Sequence, residues 1–367
     1  MLGVLEAETG MGTAYAPSAP APLVSVAGEP ACVRAASAMI DAGVDELYLG
    51  GVEPAVRGRL LERYPDSVTV GDQSASSAES LAAHDRILWM PATAVVAPGA
   101  LGALSGLRGA VLRRPAEPFA VLTGPERRPV SVPADAFEGR PPTAAPEVAS
   151  ELAAAERVEA VEREHVADVR RPWEYLDATE WILDGTDDRE GGFDGIERDL
   201  AGDVHPGATL TGPVVVREGA TIRSGAVIEG PVCVERGATV GPNCYVRASS
   251  FISNDTKIGA AVELKNSVLM HGASVPHQSY VGDSVVGPRA NVGAGSVVAN
   301  LRHDGEAVTL THADSRVRTG RRKFGAVIGE GAKLGIGARL NVGTTVGPGA
   351  MTPPGEVVRR DTGTDGP

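Results

Sequence analysis

Residues 216–247 read VREGATIRSGAVIEGPVCVERGATVGPNCYVR, and their rhythm decides the fold. An aliphatic residue returns at every sixth position: Val216, Ile222, Ile228, Val234, Val240 and Val246. Outward, the series takes in Val204 and Leu210 before, and Ile252, Ile258, Leu264 and Met270 after. It resumes at Val286, Val292 and Val298, and again at Ile328, Leu334, Leu340 and Val346. For a chain that is 43% hydrophobic, an unbroken run from Val204 to Met270 has a chance probability of roughly 4 × 10⁻⁵ per starting register. A period of six fits neither an α-helix nor a lone alternating strand. It fits short strands joined by tight turns, with one aliphatic side chain per strand pointing inward. Three hexads make a coil of about 18 residues, and coils stack at the inter-strand spacing of roughly 4.8 Å. Residues 203–352 therefore read as a parallel β-helix of six to seven coils, followed by a tail over 353–367. So narrow a prism leaves no room for rings, in keeping with an aromatic content of 4%.

Residues 299–326 break the period with a polar, basic stretch, LRHDGEAVTLTHADSRVRTGRRKFGA from Leu301 on. They are expected to leave the prism as a loop, and a long loop in a regular solenoid is usually functional.

The first 185 residues have a different texture. PLVSVAG, LYLGG and RILWMPATAVV read as strands; EPACVRAASAMIDAGVDE, closing near Gly43, and VRGRLLERYP read as helices. Strands alternating with helices imply an α/β domain with a largely parallel sheet. Residues 114–148 read as mostly irregular, PEVASELAAAERVEAVEREH as helical, and RPWEYLDATEWIL as a second helix. Residues 186–202, acidic and Gly-rich, then lead into the β-helix as a linker.

With 47 acidic and 34 basic residues in 367, the formal net charge is −13. An acidic surface repels phosphate backbones, which argues against nucleic-acid binding. No apolar run approaches the ~20 residues that cross a bilayer, and the start lacks a signal-peptide pattern. Cys32, Cys233 and Cys244 show no CxxC spacing, so neither a disulfide framework nor a metal site is indicated. A soluble, cytoplasmic protein is expected.

Within the repeats, GPNCYVR, VELKNS, PHQSYVGDS, NVGAGSVVAN and RRKFGAVIGE span residues 241–330. Together they resemble the acetyltransferase half of the bifunctional N-acetylglucosamine-1-phosphate uridyltransferase / glucosamine-1-phosphate N-acetyltransferase family, in its archaeal form. The resemblance implies a left-handed β-helix, against the general crossover rule, a homotrimer with sites between neighbouring β-helices, and acetyl-CoA as co-substrate. It places the catalytic base on His277, in the pattern His-x-x-Tyr-x-Gly-Asp. An amino sugar is protonated at neutral pH, and an imidazole with a pKa near 6.5 can take its proton. Arg247 and Lys265 carry over as ligands of the sugar phosphate, a dianion suited to guanidinium and ammonium. Tyr280 and Asn291 match positions that contact the sugar, and Asn300 one near the acetyl donor. On the loop, Arg321, Arg322 and Lys323, with Arg316 and Arg318, are placed to meet coenzyme A phosphates. Glu263 could orient Lys265, whereas His271, His303 and His312 lack the motif's setting and read as structural.

The opening LEAETGMGTAYAPSAPAPL resembles that of sugar-1-phosphate nucleotidyltransferases, a Rossmann-like fold. Gly10, Gly12, Thr13, Pro20, Pro22 and Leu23 remain, but Ala14 and Ala21 stand where that family has an arginine and a lysine. Its metal-binding Gly-Asp should fall near Met90–Ala92, where the chain reads WMPAT. Phosphoryl transfer is mostly charge stabilisation and positioning, so this half is expected to be inactive, with Mg²⁺ needed only if it is not. The rival reading of the whole chain is a regulatory or scaffolding subunit paired with an active nucleotidyltransferase; a bifunctional uridyltransferase/acetyltransferase is the third.

Overall fold

The computed structural model describes residues 1–6, 12–13, 15–50, 54–69, 84–96, 100–105, 110–113, 128–137, 144–154, 159–162, 165–185, 198–312 and 315–364. The chain falls into two compact units, one of residues 1–11 and 20–169, the other of residues 12–19 and 170–367.

The first unit is built on a seven-stranded sheet in the order 159–162, 110–113, 130–133, 86–91, 2–6, 46–50, 68–69. Among the described residues, only Val130–Pro133 of this sheet runs antiparallel to its neighbours. Alternation along the strands sends Leu5, Leu47, Leu49, Leu88 and Met90 to one face, under the helices Ala31–Asp41 and Pro54–Arg63. Leu2, Val4, Tyr48, Ile87 and Trp89 go to the other, against the helix Ala145–Ala154. A sheet covered on both sides is the α/β arrangement expected from the sequence. The first helix ends where Gly43 takes a left-handed φ of 86°, open to glycine at no steric penalty.

Two expectations shift here. The helix read through residues 146–165 stops at Ala154, and Glu159–Glu162 is a strand pairing with Ala110–Arg113. An Ala- and Glu-rich composition favours helix locally, but pairing at a sheet edge overrides that preference. In the stretch read as irregular, Val130–Pro133 is an inner strand; residues 114–127 and most of the linker, 186–197, lie outside the described residues.

The second unit is a parallel β-solenoid of about nine turns, left-handed as its class. Its three faces carry eight, seven and eight strands. One continuous buried column fills it, from Val214 to Val358, with no aromatic ring among its members. The expected six to seven coils over 203–352 were too few, because pairing already begins at Arg198–Leu200 and continues to Val357–Val358. The inward residue after Leu264 is Leu269, not Met270: Ile252 opposes Leu269, which opposes Val286. Steps of five replace steps of six from Leu264 to Leu269 and from Val281 to Val286, which is why the period seemed to lapse after Met270. Each buried aliphatic contributes about 1.5–3 kcal/mol.

The boundary also moves. The helix Pro172–Leu183, expected in the N-terminal domain, belongs to the solenoid unit. So does the segment 12–19: Tyr15 stacks on Tyr175 at 5.6 Å between ring centroids, and the Ser18 N–H donates to Glu330 at 3.0 Å. The expected loop does leave the prism, but its described residues form a structured excursion, and the chain is back in the column at Ala326, which opens the strand Ala326–Ile328. Thr309–His312 and Ser315–Arg318 are antiparallel arms, and Val308, Leu310 and Phe324 are buried.

Candidate functional site

The excursion leaves the prism at the corner where the two five-residue steps occur. Tight corners need left-handed backbone, and Asn266 (φ 43°) and Asp283 (φ 49°) supply it. Asparagine and aspartate tolerate that region better than most side chains. One coil apart, they put an amide and a carboxylate at the same edge.

Asp283 is the hub. Its carboxylate, 2% exposed, accepts from Lys265 Nζ at 2.9 and 3.0 Å and from Asn266 Nδ2 at 3.0 Å. It also accepts from Asn300 Nδ2, which reaches Tyr280 Oη at 3.0 Å. Gly282 makes this possible, because a Cβ there would overlap Tyr280 Oη. Burial, then the charges of Asp283 and Glu263, raise the Tyr280 pKa. The phenol therefore keeps its proton and, having accepted from Asn300, can donate it to a ligand.

The register explains why these residues meet. On one face, Tyr245, Glu263, Tyr280 and Val297 lie opposite one another on successive coils, and Lys265 lies opposite Gly282. Arg247 is the next cation along this edge: it donates to Glu263 at 3.1 Å and lies 5.7 Å from the Tyr245 ring. The hydrogen bond to Glu263 raises its pKa further. Arg247, Lys265, Tyr280 and Asn300 thus come together as one edge, with Glu263 on Arg247 rather than on Lys265.

His277 and Asn291 stand elsewhere. Both lie on the adjoining face, His277 ending the strand Ser274–His277 and Asn291 opening Asn291–Val292. His277 is exposed, and its imidazole makes no hydrogen bond among the described residues. Of the basic loop positions, Arg322 and Lys323 are exposed. Arg321 is engaged: it pairs with Asp177 and Glu180 of the helix Pro172–Leu183 and is 13% exposed. His312 packs edge-on against Trp173 at 5.4 Å, a structural role. His271 lies 3.6 Å from Asp255 at the surface.

Sequence reasoning passed over Asp283 and Asn266. Asp283 closes the His-x-x-Tyr-x-Gly-Asp pattern, and the missing sixth residue at both corners was a further signal. In the first unit, the strand carrying Met90 ends at Pro91, and Trp89 Nε1 donates to Glu6 at 2.9 Å. The turn with Gly10 and Ala14 lies outside the described residues.

Fold and edge define a class: a parallel β-helix of six-residue repeats with a cationic rim buttressed by a buried carboxylate. Residues 228–321 match the family model described as the GMPPB C-terminal domain. A relative from Sulfurisphaera tokodaii, named a bifunctional sugar-1-phosphate nucleotidylyltransferase/acetyltransferase, is 43% identical over 174 residues, 47% of this chain and 41% of its own length. Proteins from Methanococcus vannielii and Methanocaldococcus jannaschii, each named bifunctional protein GlmU, are 42% and 40% identical over 163 residues, 44% of this chain and 37% of theirs. The chain therefore matches about two fifths of the length of these curated relatives.

Proposed function

We propose that this chain is an acetyl-CoA-dependent N-acetyltransferase acting on glucosamine 1-phosphate or a closely related amino-sugar phosphate. The observation that carries the reading is the edge at Asp283, where Lys265, Tyr280 and Asn300 are held in one hydrogen-bonded group beside Arg247. Lys265 spends two contacts on Asp283, which leaves a third N–H for a phosphate oxygen. Arg247 adds a second cation, and Tyr280 offers a hydroxyl to the sugar. Acetyl-CoA would supply the reactive thioester. His277 takes the ammonium proton, so that the sugar nitrogen can attack, with general-base help typically worth ~10²–10⁴ in rate. Asn291 contacts the sugar, Asn300 lies on the donor side, and the exposed Arg322 and Lys323 meet coenzyme A phosphates. Arg321 instead ties the excursion to the helix Pro172–Leu183.

His277 and the Lys265 edge lie on different faces, which supports a homotrimer whose sites are completed between copies. Val297, Ile336, Met351 and Val357, exposed by 43–66% on the last coils, are apolar side chains that a contact between copies would cover. The N-terminal unit is proposed not to transfer nucleotides. Ala14 and Ala21 remove two cations, and Gly12 and Thr13 sit with the solenoid unit. Its remaining role would be to hold subunits or a partner nucleotidyltransferase.

The test is thiol release from acetyl-CoA by the full chain against a panel of amino-sugar phosphates. Release dependent on one of them is the expected result; none with any member would refute the assignment.

A further inference from the structure

Beneath the arms Thr309–His312 and Ser315–Arg318, the solenoid unit has a half-open pocket of about 450 Å³. Four arginines line it, Arg302, Arg316, Arg359 and Arg360, against a single acidic residue, Asp361. Asp361 is already committed, because its Oδ1 accepts from the Thr345 N–H at 2.8 Å. Arg302 is partly neutralised by Asp304, to which Nε donates at 2.9 Å. Arg316 is held by neutral acceptors alone: Nη1 donates to Thr311 Oγ1 at 3.2 Å, and Nη2 to Thr309 O at 2.9 Å and Thr309 Oγ1 at 2.7 Å. These bonds fix the guanidinium without cancelling its charge. No carboxylate pairs with Arg316, Arg359 or Arg360 among the described residues.

The cavity is built into the fold. Gly343 has a φ of 64°, and a Cβ on it would overlap Thr309 O, so the arms rest directly on the coil below. Buried Val308 and Leu310 anchor the first arm. The volume lies within the ~300–1,000 Å³ of small-molecule sites. In an acidic chain, unpaired arginines gathered round a preformed cavity are set for a ligand of high negative charge, and guanidinium binds phosphate with two parallel N–H bonds.

We infer that this cavity binds a small molecule bearing several phosphates, by Arg316, Arg359 and Arg360 with support from Arg302. Two sources share that chemistry: the nucleotide end of coenzyme A, or a free nucleoside polyphosphate. The first rests on the acetyltransferase reading, with Arg302, two residues beyond Asn300, linking the pocket to the donor side of that site. The second stands without it.

The experiment is calorimetry on the full chain with desulfo-coenzyme A and with ATP, for wild type and for the double variant Arg359→Ala/Arg360→Ala. Both residues are exposed, so folding should survive, and an unchanged melting temperature verifies it. Binding of at least one ligand is expected, weakened at least tenfold in the variant. Tighter desulfo-coenzyme A points to the acetyl donor, and tighter ATP to a free nucleotide. Absence of binding by wild type, or equal binding by the variant, overturns the proposal. Thiol release measured in parallel separates the two readings: binding without acetyl transfer to any amino sugar leaves the cavity standing and the acetyltransferase reading refuted.

Discussion

At Lys265 and Asp283, the proposed recognition of the sugar phosphate and the stability of the fold would share the same atoms. The carboxylate is 2% exposed and the ammonium 18%, so either charge left alone would be stranded out of water. Removing one partner of such a pair costs about 3–5 kcal/mol, while removing both costs far less. Lys265→Ala is therefore expected to lower the melting temperature as well as raise KM for the sugar phosphate. Lys265→Met combined with Asp283→Asn should recover most of the stability and none of the affinity, as thermal denaturation and steady-state kinetics would report. The cysteines make a second prediction at this scale. Burial pushes the Cys32 thiol up to about 12 and that of Cys244 up to about 11, and it raises Cys233 well above its usual value. A thiolate is the reactive form, and near pH 8 none of the three forms one while folded. A disulfide reagent should thus find no thiol in the native chain and three after denaturation, which leaves coenzyme A release readable against a clean background. Of the residues named from motifs, Arg247, Lys265, Tyr280 and Asn300 lie along one edge, whereas His277 and Asn291 lie on the adjoining face. Asp283 was not singled out although it closes the motif, because the motif does not tell that its carboxylate is buried among Lys265, Asn266 and Asn300.

Among the elements, the excursion at 299–326 and the helix Pro172–Leu183 depend on each other. Arg321 reaches across to Asp177 and Glu180, and Trp173 packs on His312. Arg321→Ala should cost about 3 kcal/mol, since it strands two carboxylates that are 9% and 25% exposed. Arg322→Ala and Lys323→Ala, at the surface, should leave the melting temperature within a degree or so, as surface changes generally do. Equal effects from all three would show that the helix is not held this way. The coils themselves were legible because one buried aliphatic per hexad leaves a periodic trace. The two shortened corners were not, since a period-six reading lands on Met270 where the chain turns at Leu269. The arms of the excursion were missed for a different reason: Leu310 is buried in TLTH and nothing is buried in SRVR, so they carry no apolar alternation to read. The strand Glu159–Glu162 was hidden by helix-forming residues that only pairing with Ala110–Arg113 could override.

For the whole molecule, two outcomes are expected together. Light scattering on the full chain should give a mass near three times the 37.7 kDa of one copy. A monomer would leave His277 and the Lys265 edge on separate faces and remove the support for a shared site. The N-terminal unit should release no pyrophosphate from UTP and N-acetylglucosamine 1-phosphate in the presence of Mg²⁺. The α/β unit was legible from alternating strands and helices, while its border was not, because Pro172–Leu183 has the composition of any amphipathic helix and joins the solenoid through Arg321 and Tyr175. The central claim is that this β-helix transfers an acetyl group with His277 as base. Its most direct test compares wild type with His277→Ala for thiol release from acetyl-CoA at saturating glucosamine 1-phosphate. Position 277 lies outside the buried column, so both proteins should melt at the same temperature. The account predicts a fall in kcat of at least ~10²; full activity in the variant would contradict it.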